Sequence, residues 1–265
     1  MFTFTDQTGH TIQLRHFPRR IISLVPSQTE LLAHLDLHDE VVGITKFCIH
    51  PDDWFRSKTR IGGTKKINIE KIQQLQPDLI IANKEENVKE EVEILSTQFP
   101  VWASDCNNLT QACDMIIQLG VIAGKQKKAI EIVKQIQEKF AQLQSPLQKL
   151  RAAYLIWQNP LMTIGGDTFI NDMMEMAGFE NIFNKEKRYP EITIELLKEA
   201  QCEILMLSSE PYPFAHKHLE YFKKELPETK IILVDGEMFS WYGSRLINAP
   251  AYFQQLQQEI AISDT

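Results

Sequence analysis

Cationic and aromatic side chains recur together in stretches rich in turn residues rather than in apolar runs. Lys46 and Phe47 are adjacent, with His50 three positions on; Lys65 follows Gly62-Gly63, and Lys84 follows Asn83. In the second half Trp157 stands near Asn159-Pro160. Phe239, Trp241, Tyr242 and Arg245 fall between Asp235-Gly236 and Gly243-Ser244. Pro26 and Ser27 close a short apolar run and join the set. Flat apolar area combined with cations suits a large, planar, partly anionic ligand, and haem, a corrinoid or an aromatic ferric chelate would all fit. The alternative is that the aromatics are core and the lysines solvated.

Other chemistries find less support. No Gly-x-Ser-x-Gly elbow is present, which disfavours α/β-hydrolase chemistry. Gly62-Gly63 and Gly165-Gly166 are neither a dinucleotide fingerprint nor a Walker sequence. They read as chain turns whose amides can meet ligand oxygens. Ser27 with Glu30 reads as a capping box before it reads as a nucleophile. Asp52-Asp53 and Asp167 receive no acid or base role. Cys48 and His50, and again His216 and His218, are two apart, and both residue types ligate metals. Two ligands are not a spaced motif, so no resident metal is expected; His50 could take a haem iron axially. His216 and His218 read as a solvated helix start. Cys106, Cys113 and Cys202 read as small buried hydrophobes.

The elements that must position these groups follow from periodicity. The chain has 265 residues, and at about 150 per domain that is one large domain or two small ones. Lys plus Arg number 28 and Asp plus Glu 35, for a net charge of -7, which disfavours a dedicated duplex-DNA surface. No apolar run approaches a membrane span. No leader is visible at the start, so the chain reads as cytoplasmic as written, and as periplasmic if a leader precedes it. A hairpin is predicted around Asp6–Gly9. Strands are expected at 21–25, 41–45, 79–82, 100–103, 152–156, 204–208 and 231–234. Helices are expected from Ser27 to about Leu35, from Asn68 to before Pro77, over 88–95, from Asp167 or Thr168 to Ala177, and over about 250–260. Short apolar strands alternating with helices predict parallel sheets covered by helices. From Leu109 to Leu143 the pattern is helical, as one helix of about 30 residues or as two broken within Gly120–Gly124. A polar link containing Pro146 follows.

An internal repeat supports two related lobes. Asn68, Glu70 and Asp78 precede the strand Leu79-Ile80-Ile81; Thr193, Glu195 and Glu203 precede Ile204-Leu205-Met206 at the same spacing. The predicted organisation is an α/β lobe over 1–107, a connecting helix over 108–144 and a second α/β lobe over 145–265.

The Ile21-Ser27-Glu30 segment, the two Glu-bearing repeats, the central helix and Gly165-Gly166-Asp167 together resemble the helical-backbone substrate-binding proteins of ABC importers. The likeness spans roughly residues 5 to 262 and is greatest to the cobalamin-binding branch. It implies two Rossmann-like lobes with parallel sheets joined by a long backbone helix, with ligand in the cleft between the lobes. Pro26, Ser27, Lys46, Phe47, His50, Lys65, Lys84, Trp157, Phe239, Trp241, Tyr242 and Arg245 would then contact the ligand. Glu70 and Glu195 would dock onto arginines of a permease dimer. The ligand class implied is a cobalamin-like corrinoid, haem or ferric siderophore, carried by a monomer that is not an enzyme and has no intrinsic cofactor or nucleic-acid partner. Aromatic residues that grip cobalamin in that branch appear here as Thr64 and Asn83, whereas Phe47 keeps its aromatic character. The competing expectations are a cytoplasmic corrinoid or metal-chelate carrier or sensor without a permease, and an enzyme acting on such a ligand.

Overall fold

The computed structural model describes residues 1–144 and 148–262. The chain divides into two compact units. The first holds Met1–Cys106, Thr110–Ile136 and Tyr242–Arg245; the second holds Asn107–Leu109, Gln137–Trp241 and the chain from Leu246 onward. Pro146, in the expected polar link, lies outside the described residues.

The first unit opens with an antiparallel hairpin of β1 (Phe2–Thr5) and β2 (Thr11–Leu14). Asp6 in its turn accepts from the amides of Thr8 and His10, both at 2.9 Å, and of Ala103 at 3.1 Å, so a single buried carboxylate pins hairpin to sheet. There follow β3 (Ile21–Ser23), α1 (Pro26–His34), β4 (Val41–Ile44), α2 (Asp52–Ser57), β5 (Thr59–Arg60), α3 (Ile69–Leu75), β6 (Leu79–Asn83), α4 (Lys89–Ser96), β7 (Val101–Ser104), α5 (Leu109–Ile122) and α6 (Gln126–Ala141). The sheet is wholly parallel in the order β5-β4-β3-β6-β7.

The second unit continues with β8 (Leu150–Leu155), α7 (Phe169–Met176), β9 (Phe179–Asn181), α8 (Ile194–Glu199), β10 (Ile204–Ser208), α9 (His216–Glu225), β11 (Lys230–Val234), α10 (Gly236–Ser240) and α11 (Ala249–Ile262). A single 3₁₀ turn over Ser244–Ile247 precedes α11 and begins in the first unit. Its sheet is also parallel, in the order β11-β10-β8-β9. In each unit the chain starts at an inner strand, goes to one side, then returns and continues on the other. The direction reverses between β3 and β6, and between β8 and β10.

The predicted repeat is real in its hydrogen bonds. Asn68 caps α3 by accepting from Lys71 N at 2.9 Å, and Thr193 caps α8 by accepting from Leu196 N at 3.3 Å. Six residues after each glutamate a glutamine turns left-handed, Gln76 at φ 44° and Gln201 at φ 52°. Asp78 accepts from the Arg20 amide at 2.8 Å, and Glu203 from the Arg151 amide at 2.7 Å. Arg20 then donates to Leu75 O and Arg151 to Ala200 O, each at a helix C-terminus where a cation is favoured. Each repeat thus ties a helix end, an acid and the start of the neighbouring strand into one corner.

The capping-box expectation needs correction, and the central segment takes the two-helix alternative. Ser27 is not a cap. Pro26, whose fixed φ suits the first helical position, starts α1 one residue earlier, and Val25 stands at the N-cap with no side-chain bond. Glu30 does not close a capping box either; its carboxylate binds Arg245. In the central segment the helix breaks at Ala123–Lys125, where Gly124 takes φ 70°. Gly120 lets α5 and α6 approach closely: a Cβ there would stand 2.3 Å from Ala129 Cβ. Gly120→Ala is therefore expected to destabilise the protein by about 1–3 kcal/mol through overpacking, measured by urea unfolding against Gly124→Asn as a surface-turn control.

Candidate functional site

In open parallel sheets, ligands bind beyond the carboxyl ends of the strands where the winding direction reverses. In the first unit that point lies between β3 and β6. The loop after β3 passes directly into α1, so Pro26, Ser27, Gln28 and Thr29 sit at the sheet edge. Ser27, Gln28 and Thr29 are buried polar residues. Across from them Asn83 ends β6. Its amide donates to Ser104 Oγ at 3.0 Å, its carbonyl oxygen accepts from Glu85 N and Glu86 N, and Gln28 Nε2 also donates to Ser104 Oγ. Asn87 completes the lattice by bonding Asn83 N, Leu24 O and Thr64 O. Ser27 Oγ and Gln28 Oε1 are buried without a hydrogen-bond partner among the described residues. Asn83 is thus committed to holding the strand end.

Beside this edge the loops after β4 and β5 frame an open cavity of about 770 Å³. Lys46, Phe47, Gly63, Lys65, Lys66 and Glu70 are on its walls. Phe47 is 50% exposed, and Lys46 Nζ lies 4.9 Å from its ring centroid. Lys65 Nζ donates to Glu85 O at 2.5 Å. Lys84 pairs with Asp105 at 2.5 Å, and His50 is half-buried in the same loop as Phe47. Cys48 is buried 3.1 Å from the hydroxyls of Thr29 and Thr45, and burial raises its thiol pKa, so it behaves as a core group.

Residues 242–245 pack with this unit. Tyr242 donates to Glu86 Oε1 at 2.9 Å. Arg245 grips Glu30 through two bonds of 3.0 and 2.7 Å, with both side chains largely buried. The guanidinium expected to meet ligand is held by a carboxylate, and Tyr242 is buried.

In the second unit the reversal lies between β8 and β10. Trp157 follows β8 with 40% of its surface exposed, its indole N–H on Asn159 O at 3.0 Å and its ring edge-on to Tyr212 at 5.5 Å. Glu210 follows β10. It accepts from Ser240 Oγ at 2.6 Å and from Trp241 Nε1 at 2.8 Å. Burial pushes its pKa up, with Glu237 and Asp235 adding to the rise and those two hydrogen bonds opposing it. Phe239 offers no free face: it is fully buried against Tyr154 and Phe253, with centroids at 5.3 and 4.9 Å. Trp241 is also buried. His218 is not solvated, because its ring packs beside Tyr212 and Phe214 and accepts from Ala215 N.

Gly165 and Gly166 let the chain pass against residues 184–187, where added Cβ atoms would meet Glu186 O at 2.4 Å and Asn184 O at 2.1 Å. A second cavity, about 480 Å³, opens beside them with Asn107, Asp167, Asp172, Glu175 and Arg188 on its walls. Asp172 accepts from Leu109 N at 2.7 Å while burial raises its pKa. Arg188 escaped the sequence reading, and Glu210 lay within the expected cleft loop 208–213 without being singled out. Glu210 had a signal, as a lone acid after an apolar strand and before proline; Arg188, in a polar stretch, had none. Among the described residues, no group of three or more His, Cys, Asp or Glu side chains is placed to hold a metal ion. No helix among them is long and apolar enough to cross a membrane.

Glu70 and Glu195 occupy matching places. Each is exposed in the first turn of its helix. Local hydrogen bonds, from its own amide and then from Thr193, hold the Glu195 pKa below the usual carboxylate range.

A periodic pattern of this kind has relatives. The periplasmic binding protein family profile matches residues 21–229. The vitamin B12-binding protein of Vibrio campbellii is 30% identical over 197 residues, covering 72% of this chain and 70% of its own. The uncharacterised ABC transporter substrate-binding lipoprotein YvrC of Bacillus subtilis is 26% identical over 208 residues, 74% of this chain and 65% of its own. In fold, the crystal structure of the periplasmic vitamin B12-binding protein BtuF of Vibrio cholerae superposes with a TM-score of 0.76 over 91% of this chain and 99% of that one, at 24% identity.

Glu210 generates a pH prediction. The unfolded chain releases its proton near the ordinary glutamate value of about 4.3, and the folded chain at higher pH. Between those values the folded state binds more protons, so this group's contribution falls as pH rises through the window and stays lower above it. Glu210→Gln removes the titration and keeps an acceptor for Ser240 and Trp241. In urea unfolding the variant should gain stability relative to the parent between pH 4 and pH 7; a difference that is flat with pH would contradict this.

Proposed function

The chain belongs to the periplasmic binding protein family, and from that membership we propose that it is the substrate-binding component of an ABC importer that captures a corrinoid of the vitamin B12 type. The observation that carries this reading is the doubled corner. Each unit repeats a capped helix, a first-turn glutamate, a left-handed glutamine, an acid and a buried parallel strand, so each unit presents one exposed carboxylate at an equivalent place. Two such carboxylates suit a permease built from two equivalent subunits, because paired charges fix orientation more than they add affinity. The relative named as an ABC transporter substrate-binding lipoprotein supports the importer, and the relatives named as vitamin B12-binding proteins support the ligand class.

Ligand is taken at the strand-end loops. Phe47 and Trp157 are the exposed aromatic faces at those edges, with Lys46, Lys65 and Lys84 as cations and Pro26 and Ser27 lining the switch point of the first sheet. Phe239 and Trp241 act from behind as packing. Arg245 sets the position of α1 through Glu30. Haem and ferric siderophores share the planar, metal-chelate character of corrinoids and belong in the same screen.

The test is a spectrophotometric titration of the purified protein with cyanocobalamin, dicyanocobinamide, haemin and ferrichrome. A saturable shift with a corrinoid and no product over time is expected; turnover of the ligand, or silence with all four, would reject the reading. Glu70→Gln with Glu195→Gln should retain saturable ligand binding and lower uptake through the cognate permease by about tenfold or more, equivalent to about 1.4 kcal/mol of docking. Loss of binding together with uptake would instead assign these glutamates to the fold.

A further inference from the structure

The geometry points to an anion-reading subsite in the first unit, made by Lys46, Lys65 and Lys66, that selects a planar ligand carrying free carboxylates over its neutral amide or ester counterpart. This rests on the functional reading above and narrows its ligand class.

Three observations converge. The first is charge. The chain as a whole carries -7, yet the walls of this 770 Å³ cavity hold three lysines against the single carboxylate of Glu70. A concave wall of one sign concentrates field on whatever enters. The second is rigidity of the backbone that carries the lysines. Lys46 N donates to Gly62 O at 2.8 Å, Gly63 N to Lys66 O at 2.8 Å, and Asn87 Nδ2 to Thr64 O at 3.2 Å. Gly62 adopts φ 110°, and a Cβ there would stand 2.6 Å from Lys66 O. The tight turn that projects Lys65 and Lys66 therefore needs glycine at that position. The third is the half-exposed ring of Phe47 on the same wall, with a cation already 4.9 Å from its centroid. A flat surface with one ammonium group over it and two more lysines on the same cavity wall matches a flat ligand with acidic substituents at its rim. All three lysines are exposed, so their charge is available to a ligand and their replacement does not open the core.

The experiment compares matched probes: cyanocobalamin with its tricarboxylic acid, made by hydrolysing three propionamides, and haemin with haemin dimethyl ester. Titrations run in 0.05 M and 0.5 M sodium chloride. The acidic member of whichever pair binds should bind about tenfold tighter at low salt, and the preference should shrink at high salt as screening shortens the reach of the charges. The triple variant Lys46→Gln, Lys65→Gln, Lys66→Gln should bring the ratio to about one. Replacing the three by arginine should restore the preference. A parent protein with no preference, or a preference that survives the glutamine variant, overturns the inference. If none of the four probes binds, the corrinoid reading has failed, and isothermal titration with pyrophosphate decides the subsite separately. Pyrophosphate binding that the glutamine variant abolishes upholds it, and an absence of binding overturns it.

Discussion

A parallel strand buried on both faces has to hand its chain to a crossover at the carboxyl end, and the candidate site residues are placed by that constraint. β6 and β10 are five residues each with no exposed side chain, and each has a parallel neighbour on either side. Where such strands end away from water their last polar backbone groups need partners, and committed side chains supply them. Asn83, Asn87, Ser104 and Gln28 do this after β6. Ser208, which bonds Tyr154 and Glu210 O, does it after β10. The opposite edges are closed by the paired corners, Asp78 with Arg20 and Glu203 with Arg151. One end of each sheet is therefore fixed by corners in which a carboxylate accepts from a strand amide and an arginine caps a helix carbonyl, and the other is left to loops that present side chains.

The same division explains the two chemistries at the strand ends. In the first unit the polar lattice occupies the switch point and the exposed groups lie to its side, on short loops stiffened by glycine. In the second unit the strand ends are dominated by rings: Tyr154, Phe239 and Phe253 pack inward, and Tyr212, Phe214 and His218 form an aromatic cluster under Trp157. Glu210 sits among these groups as a half-buried carboxylate, tolerated because Ser240 and Trp241 both donate to it. Its neighbours Asp235 and Glu237 make ionisation harder still, so it joins α10 to the loop after β10 at an electrostatic cost.

Much of this was legible in the residues. Short continuous apolar runs located the long strands, and Asn68, Thr193, Pro77 and Gly178 marked helix ends because capping and breaking act locally. The repeat was visible because an identical corner demands the same residue types at the same spacing. What escaped was set by tertiary partners. Ser27 and Glu30 satisfy the capping-box pattern, but a buried Arg245 more than two hundred residues away takes the glutamate. Phe239 and Trp241 sit between turn residues, as a loop aromatic would, yet the short helix α10 carries Phe239 into the core. β5 and β9, of two and three residues, are too short for periodicity and exist because a neighbouring strand offers them hydrogen bonds.

The burial of Arg245 has a consequence for how the charge of the protein is used. An arginine with two good bonds to a carboxylate inside the fold has little left to offer a ligand, and separating the pair would leave two buried charges exposed to the full desolvation penalty. It serves instead to hold the 242–245 segment against α1, where Gly243 comes within a Cβ's contact of Ser27 O. On the proposed function, cationic recognition then falls to lysines, whose flexible stems and compact heads remain hydrated and adjustable. A set of exposed lysines around an exposed ring can meet acidic groups at varied positions on a large rim, and releases them without breaking a buried pair. Under the proposed role of handing a ligand on, adjustable surface charges beside rigid glycine turns are a better arrangement than a fixed guanidinium clamp.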